Sequence, residues 1–499
     1  MTMICQPQQL FTSEQTRQLD RLAIAAGTAG YTLMKRAGQS AFDLLRHRWP
    51  DATTLHILCG CGNNGGDGFA IASIAIQAGL TPVVYVVGDS AKIANEAALA
   101  FKAMQQQGIG YQPLTDDSRF DHGVIVDALL GTGLSGTVRP AFAAAIALIN
   151  RSELPVLAID VPSGLCGDSG QPLGAAVTAD VTLSFIGAKR GLYQAGSQQW
   201  TGQRLFDDLS IPTTLYPQAG EAIELLDLEQ LKKALPKRAA DSNKGSHGHV
   251  LVVGGNHGYG GAALMAAEAA LRAGAGLVSV ATQAEHIAPY ISRRPELMVS
   301  ACDDTKKLSR LLAAATAVAI GPGLGQDDWS KACLRTVLAS DKTLLLDADA
   351  LNIIAADPRL LDHHTGQRII TPHPGEAGRL LNLTTAEVQA DRDHRARQLS
   401  RRYGAVTVLK GASSLVAHDR QISLCPDGNP YMASGGMGDV LSGIIVSLVA
   451  QGLDSHQATK LGVSLHACAA DYYVQQQGGH GMVATDVITA VTALLNRHK

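Results

Sequence analysis

The sequence predicts an α/β protein of two domains, each built on a largely parallel sheet covered by helices on both faces. Three observations carry this. From residue 55 onward short β-rich runs alternate with apolar-periodic helical stretches. That alternation stops near residue 210 and a second series begins at HVLVVGG. A chain of 499 residues is also too long for one ordinary core.

In order, Thr12 to Gln15 has the form of a capping box and opens a helix through Leu19, Leu22, Ala23 and Ala26. The first strands are LHILC, PVVYVVG, GVIVDALL, PVLAIDVP and VTLSFIG. IPTTLYPQAGEAIELLD, with prolines and a weak apolar signal, reads as a linker, so the domains meet between about 210 and 235. The second series is HVLVVGG, LVSVAT, AVAIGPG, TLLLDAD, RIITP, AVTVLKG and SLVAH.

Composition excludes several classes. Hydrophobic residues at 46% and charged residues at 17% are globular rather than disordered. A net charge of −3 and 4% aromatics give no case for nucleic acid or an anionic membrane. Cysteines at 5, 59, 61, 166, 302, 333, 425 and 468 form no C-x-x-C pair and read as reduced thiols. MTMICQPQQLFTSEQ has neither a basic n-region nor an apolar h-region, and no apolar run approaches the ~20 residues a membrane helix needs. A cytoplasmic protein is expected.

Ligands of open α/β sheets bind beyond the carboxyl ends of the strands. In the first domain four such loops are polar: NNGGD at 63–67, DALLGTGLSG at 127–136, DVPSG at 160–164 and GAKRGL at 187–192. Gly60, Gly62 and Gly65 fit the dinucleotide spacing G-x-G-x-x-G, and Asp89 stands where a ribose-binding acid would. Asn63, Asn64 and Asp67, however, put side chains and a negative charge where a pyrophosphate wants bare backbone. The alternative is a cation or polar-substrate site, to which Asn64, Asp127 and Ser163 offer oxygens from three strand ends. Each could equally cap a helix. Asp160 and Lys189, at successive strand ends, are the acid–base candidates.

In the second domain NPYMASGGMGDVLSGIIVSLVA places Gly435, Gly436 and Gly438 before a strongly apolar helix, where amides can hold an anion. Asp439 follows, placed to take a proton from a hydroxyl attacking phosphorus, or simply to favour the helix dipole. KGASS offers Lys410 to phosphate without Walker A spacing, TPHPGEAGRL brings His373 and Glu376 to another strand end, and GPGLGQ and LDADALN add a glycine turn with Asp347 and Asp349.

GCGNNGGDG, DALLGTGLSG, DVPSG and the lysine of GAKRGL together resemble the epimerase domain of the NAD(P)H-hydrate repair enzymes. KGSHGHVLVVGG, GPGLG, DADALN, TPHPGE, KGASS and NPYMASGGMGD resemble their dehydratase domain, a branch of the ribokinase-like superfamily. The resemblance implies a Rossmann-like three-layer α/β/α domain over 1–222 and a ribokinase-like α/β domain over 223–499. It implies that Asn63, Asn64, Gly65, Gly66 and Asp67, with Gly131, Thr132, Gly133, Leu134, Ser135, Gly136, Thr137 and Asp160, bind hydrated NADH or NADPH. Asp160 and Lys189 would serve interconversion of its R and S forms at nicotinamide C6, with K+ on Asn64, Asp127 and Ser163.

In the second domain, Gly325 and the run His373, Pro374, Gly375, Glu376, Ala377, Gly378 and Arg379 would contact the hydrate. ADP, with Mg2+, would lie on Lys410, Gly411, Ala412, Ser413 and Ser414, and on Asn429, Ser434, Gly435, Gly436, Met437 and Gly438. Asp439 would contact the substrate and help its C6 hydroxyl take a phosphoryl group, whose elimination restores NAD(P)H. A homo-oligomer is expected. Two other classes compete: a ribokinase-class small-molecule kinase with an N-terminal nucleotide-binding domain, releasing a stable phosphorylated product, and a nucleotide sensor with no use for Asp439.

Overall fold

The structure, a computed structural model, describes residues 7–115, 118–362 and 364–497. Cys5 and the start of the segment read for a signal lie outside them. The chain divides into two compact units, the first ending at Ile223 and the second beginning at Glu224.

The first unit carries a seven-stranded parallel sheet in the order Tyr111–Pro113, Thr81–Val86, Thr54–Cys59, Val124–Ala128, Val156–Ile159, Val181–Phe185 and Gln203–Asp207. Its strands read as continuous apolar runs because both faces are covered: Leu55 and Ile57 enter one core, Leu58 and Ile125 the other. Strand order reverses between Thr54–Cys59 and Val124–Ala128, where a crevice opens beyond the carboxyl ends. The Thr12 capping box forms reciprocally with Gln15 and starts the helix Ser13–Ala25.

The expected linker is instead packed structure. Thr213–Ala219 forms 3-10 turns with Leu215 and Ala219 buried, and the Tyr216 hydroxyl donates to the Ile186 carbonyl at 2.8 Å. A few apolar side chains among prolines were enough to anchor it.

In the second unit the parallel strands run Met298–Ala301, Leu277–Thr282, His249–Val253, Ala317–Ile320, Thr343–Leu346, Arg368–Ile370 and Val406–Leu409. The sheet does not stay parallel. Leu415–His418 and Gln421–Leu424 return antiparallel as hairpins, since connections this short admit no crossover helix. The apolar helix Met437–Ala450 packs on Gly260–Arg272 closely enough that a Cβ on Gly443 would sit 2.1 Å from the Ala266 carbonyl oxygen. Among the described residues no helix is long and apolar enough to cross a membrane.

Candidate active sites

In the first unit, Gly60 closes the reversal point: its amide donates to the Ala128 carbonyl at 3.0 Å, and a Cβ there would lie 2.0 Å from the Leu129 carbonyl oxygen. The segment 63–67, expected as a loop, is the start of the helix Asn63–Gln77; the turn itself is only Gly60 to Gly62. Its glycines serve packing. A Cβ on Gly65 would meet the Gly60 carbonyl oxygen at 1.9 Å, and one on Gly66 would meet the Met34 side chain at 2.5 Å. Asn63, Asn64 and Asp67 are what the helix start presents to a cleft of about 720 Å³.

Gly131, Thr132, Gly133, Leu134 and Ser135 line the same cleft, as do Asp160 and Lys189. Lys189 is buried and donates to Asp160 Oδ1 and to the Phe185 carbonyl, the latter at 2.9 Å. Asp160 takes a left-handed φ of 68°, a conformation Asp tolerates better than most residues, held by the Phe185 amide at 3.3 Å. Asp89, read as a ribose acid, caps the turn Ser90–Lys92 through the Ala91 amide and also lines the cleft.

Asp127 and Ser163 lie behind this wall, both fully buried. The Ser163 hydroxyl donates to Asp127 Oδ1 at 2.5 Å and its amide to Oδ2 at 2.7 Å. Burial pushes the Asp127 pKa up to about 6, with the Ser163 hydrogen bonds pulling it back. Asn64 is also buried, and neither its Oδ1 nor its Nδ2 has a hydrogen-bond partner among the described residues. Burial likewise drives Asp67 well above the ordinary carboxylate range, with Asp160 and Asp20 adding to it.

The second unit repeats the close approach: a Cβ on Gly254 would lie 2.1 Å from the Pro322 carbonyl oxygen, again where strand order reverses. A cavity of about 460 Å³ opens there, lined by Asn256, Tyr259, Gly325, Asp327 and Asp349 among others. Gly325, at φ 74°, donates its amide to Asp349 Oδ2 at 2.9 Å.

Three strand ends and one helix start build the charged centre. Asp347 makes no capping bond to the helix that follows it. It accepts instead from Lys410 Nζ at 2.9 Å and from the Ser442 hydroxyl at 2.7 Å. Glu376 Oε2 lies 3.8 Å from the same ammonium. Burial works against the Lys410 charge, yet Asp347 and Glu376 raise its pKa. A Cβ on Gly438 would stand 3.2 Å from Lys410 Nζ, so the helix start and the ammonium share one space. Gly436, at φ 90°, turns the chain into that helix; the first-turn amides have no acceptor within the helix and remain available to an anion. Asp439 sits in this turn, its pKa pushed up to about 7 by burial and by Asp347, with Lys410 pulling it back.

Other residues singled out from the sequence turn to local work. His373 caps the helix Pro374–Leu381, its Nδ1 accepting from the Gly375 amide at 3.0 Å, and burial and Lys410 lower its pKa. Ala377 and Gly378 face inward, while Arg379 donates to Asn352 Oδ1 at 2.8 Å. Asn429 donates to Asp471 at 2.7 Å. The Gly411–Ser414 turn is braced by Arg392, which donates to the Leu409 and Ser413 carbonyls. Arg392, Ser442 and Asp471 escaped the sequence reading. Arg392 lies in the charge-rich RDHRARQ, which reads as a solvated face, and Ser442 lies inside an apolar helix.

Residues 250–493 match the NAD(P)H-hydrate dehydratase family, and residues 30–191 match the family described as YjeF-related protein N-terminus. The chain is 45% identical over 491 residues to the bifunctional NAD(P)H-hydrate repair enzyme of Coxiella burnetii, covering 98% of this chain and 99% of the relative. To that of Escherichia coli K12 it is 42% identical, covering 98% and 94%. Among solved structures it is similar to the ADP/ATP-dependent NAD(P)H-hydrate dehydratase of Bacillus subtilis co-crystallised with ATP/Mg2+, at TM-score 0.51 and 30% identity, over 55% of this chain and 97% of that one.

Proposed function

The chain belongs to the family of bifunctional NAD(P)H-hydrate repair enzymes, and from that premise we propose how its residues divide the work. It is an epimerase joined to a dehydratase, restoring hydrated NADH and NADPH. We assign epimerisation to 1–222 and dehydration to 223–499.

In the epimerase cleft the 63–67 helix start and the 131–137 loop receive the hydrate, and the Asp160–Lys189 pair moves protons at C6. The unpartnered, buried carboxamide of Asn64 fits a K+ ligand, with the Asp127–Ser163 couple fixed behind it. A cation there would supply positive charge to a pocket rich in carboxyls.

In the dehydratase site, Gly325 and His373 to Arg379 hold the S-form hydrate, and Lys410 to Ser414 with Asn429 and Ser434 to Gly438 hold ADP. Mg2+ on the nucleotide would neutralise developing phosphate charge. The observation that carries the reading is Asp439 beside the free amides of its own helix turn, with a pKa pushed up to about 7. Such a carboxylate is matched to accept the C6 hydroxyl proton at neutral pH while the oxygen bonds to the terminal phosphoryl of ADP. AMP leaves, the phosphate ester departs as inorganic phosphate with a C5 proton, and the C5–C6 double bond returns. The seven free cysteines among the described residues support a reducing, cytoplasmic setting.

The test supplies mixed epimers of hydrated NADH with ADP and Mg2+ and follows NADH absorbance. Full recovery with released phosphate is expected. Recovery stalling at the S fraction removes the epimerase assignment, and a stable phosphorylated nucleotide establishes the kinase alternative instead.

A further inference from the structure

The helix Ser13–Ala25 lies outside the stretch that matches the N-terminal family, yet it forms a wall of the epimerase cleft. Thr16, Asp20 and Ile24, four apart, make one stripe, and all three line the cleft. The helix is fixed beside the acid–base pair. The strand before it, Gln9–Phe11, pairs with Ala188–Lys189, placing Phe11 opposite Lys189. A Cβ on Gly187 would touch both Leu19 and Thr16 at 3.1 Å. Of the carboxyls that line the cleft, Asp20, Asp67 and Asp160 feel the one buried ammonium of Lys189, and that ammonium is hydrogen-bonded to Asp160.

Resting on the epimerase reading of this cleft, we propose that Asp20 is a second catalytic acid–base residue, acting from the helix wall while Asp160 acts from the strand ends. In a route through N1=C6 the hydroxyl leaves C6 on one face and water arrives on the other. An acid serves the departure and a base the arrival, and the Asp160–Lys189 pair supplies one of them. Asp20 donates its proton to the C6 hydroxyl oxygen. The C6–O bond breaks, both electrons leaving with the oxygen as water, and the ring N1 lone pair forms an N1=C6 bond. A solvent water then bonds to C6 from the other face, its proton passing to the Asp160 carboxylate as the π pair returns to N1. The two carboxyls have exchanged states, which is the arrangement the reverse epimer needs.

Among the other acids lining the cleft Asp20 is the one on this helix wall: Asp67 belongs to the helix start assigned to the hydrate, Asp89 caps its own turn, and Glu96 lies on the helix Asn95–Gln106. Burial raises the Asp20 pKa, with Lys189 pulling it down and Asp160 and Glu96 adding to the rise, so it keeps its proton to higher pH. Arg17 is the other charged group this wall gives the cleft, and Asp67, Asp89, Lys92, Glu96 and Arg139 line it from other elements.

The experiment measures R-to-S interconversion, background subtracted, for the full chain and for Asp20→Asn, Asp20→Glu and Asp160→Asn across pH. Asp20→Asn is expected to lower kcat about 100-fold or more with KM little changed, and to lose the fall of kcat at high pH. Asp20→Glu, which keeps an acid on the same stripe, is expected to regain about tenfold and the alkaline limb; a folding defect alone would not discriminate between the two in this way. Wild-type kcat and limb in Asp20→Asn, or equal loss of kcat and limb in both variants, overturns the proposal. An active Asp160→Asn instead brings down the epimerase reading of the cleft.

Discussion

Each unit centres on a lysine–aspartate pair at its strand ends, but the two pairs are buried the opposite way round. In the first, Lys189 is 1% exposed and Asp160 16%; in the second, Asp347 is 1% exposed and Lys410 19%. The epimerase cleft therefore shows its ligand a carboxylate backed by a hidden cation, which suits exchanging protons. The dehydratase site shows a cation backed by a hidden carboxylate, which suits holding phosphate. The proposed proton acceptor there is a separate group, Asp439, which stands at a helix start.

The largest expected effect comes from removing that group. Asp439→Asn should cut dehydration of the S epimer by about 10²–10⁴-fold while R-to-S interconversion and nucleotide binding persist. The raised pKa also fixes a sign for stability. A folded-state pKa of about 7 contributes stability that is complete below the ordinary value of 3.8 and is lost as pH rises through about 7. Asp439→Asn should therefore melt at higher temperature than wild type at pH 8, and with little difference at pH 4.

The inverted burial is tested by removing each pair member in turn. Asp160→Asn and Lys410→Met strand the buried partner and should cost their own units about 3–5 kcal/mol in denaturant unfolding. Lys189→Met and Asp347→Asn remove the buried charge itself and should cost less. Equal losses from both members of a pair would erase the contrast.

A smaller effect sharpens the helix start in the first unit. Gly65→Ala drives a methyl into the Gly60 carbonyl and should cost about 1–3 kcal/mol, with epimerisation falling and dehydration preserved. Subtlest is the pH profile. With Asp439 as the proposed base, its deprotonated form works, so dehydration kcat/KM should rise with pH through about 7, and Asp347→Asn, by removing a repelling carboxylate, should move that midpoint down.

Much of this was legible in the chain. The strand runs, the Thr12 capping box and the glycine-rich starts at 60–68 and 435–438 are local signals, and the elements form where they point. The short edge strands Tyr111–Pro113 and Met298–Ala301 were not legible, because three or four residues carry too little pattern to stand out. Nor was the packed turn Thr213–Ala219, whose apolar residues are few and irregular.

The sequence by itself determined which residue types stand at each strand end: Asn64, Asp127, Asp160 and Lys189 in one half, Asp347, Lys410 and Asp439 in the other. That follows because strand ends and helix starts are fixed by local periodicity and turn chemistry. Only the tertiary structure decided which member of each ion pair is hidden, that Ser442 rather than a helix cap takes Asp347, and that Asp20 enters the epimerase cleft. Burial and pKa depend on what distant segments bring alongside, here Asp20 to Lys189 and Asp347 to Ser442, and no local pattern encodes that distance.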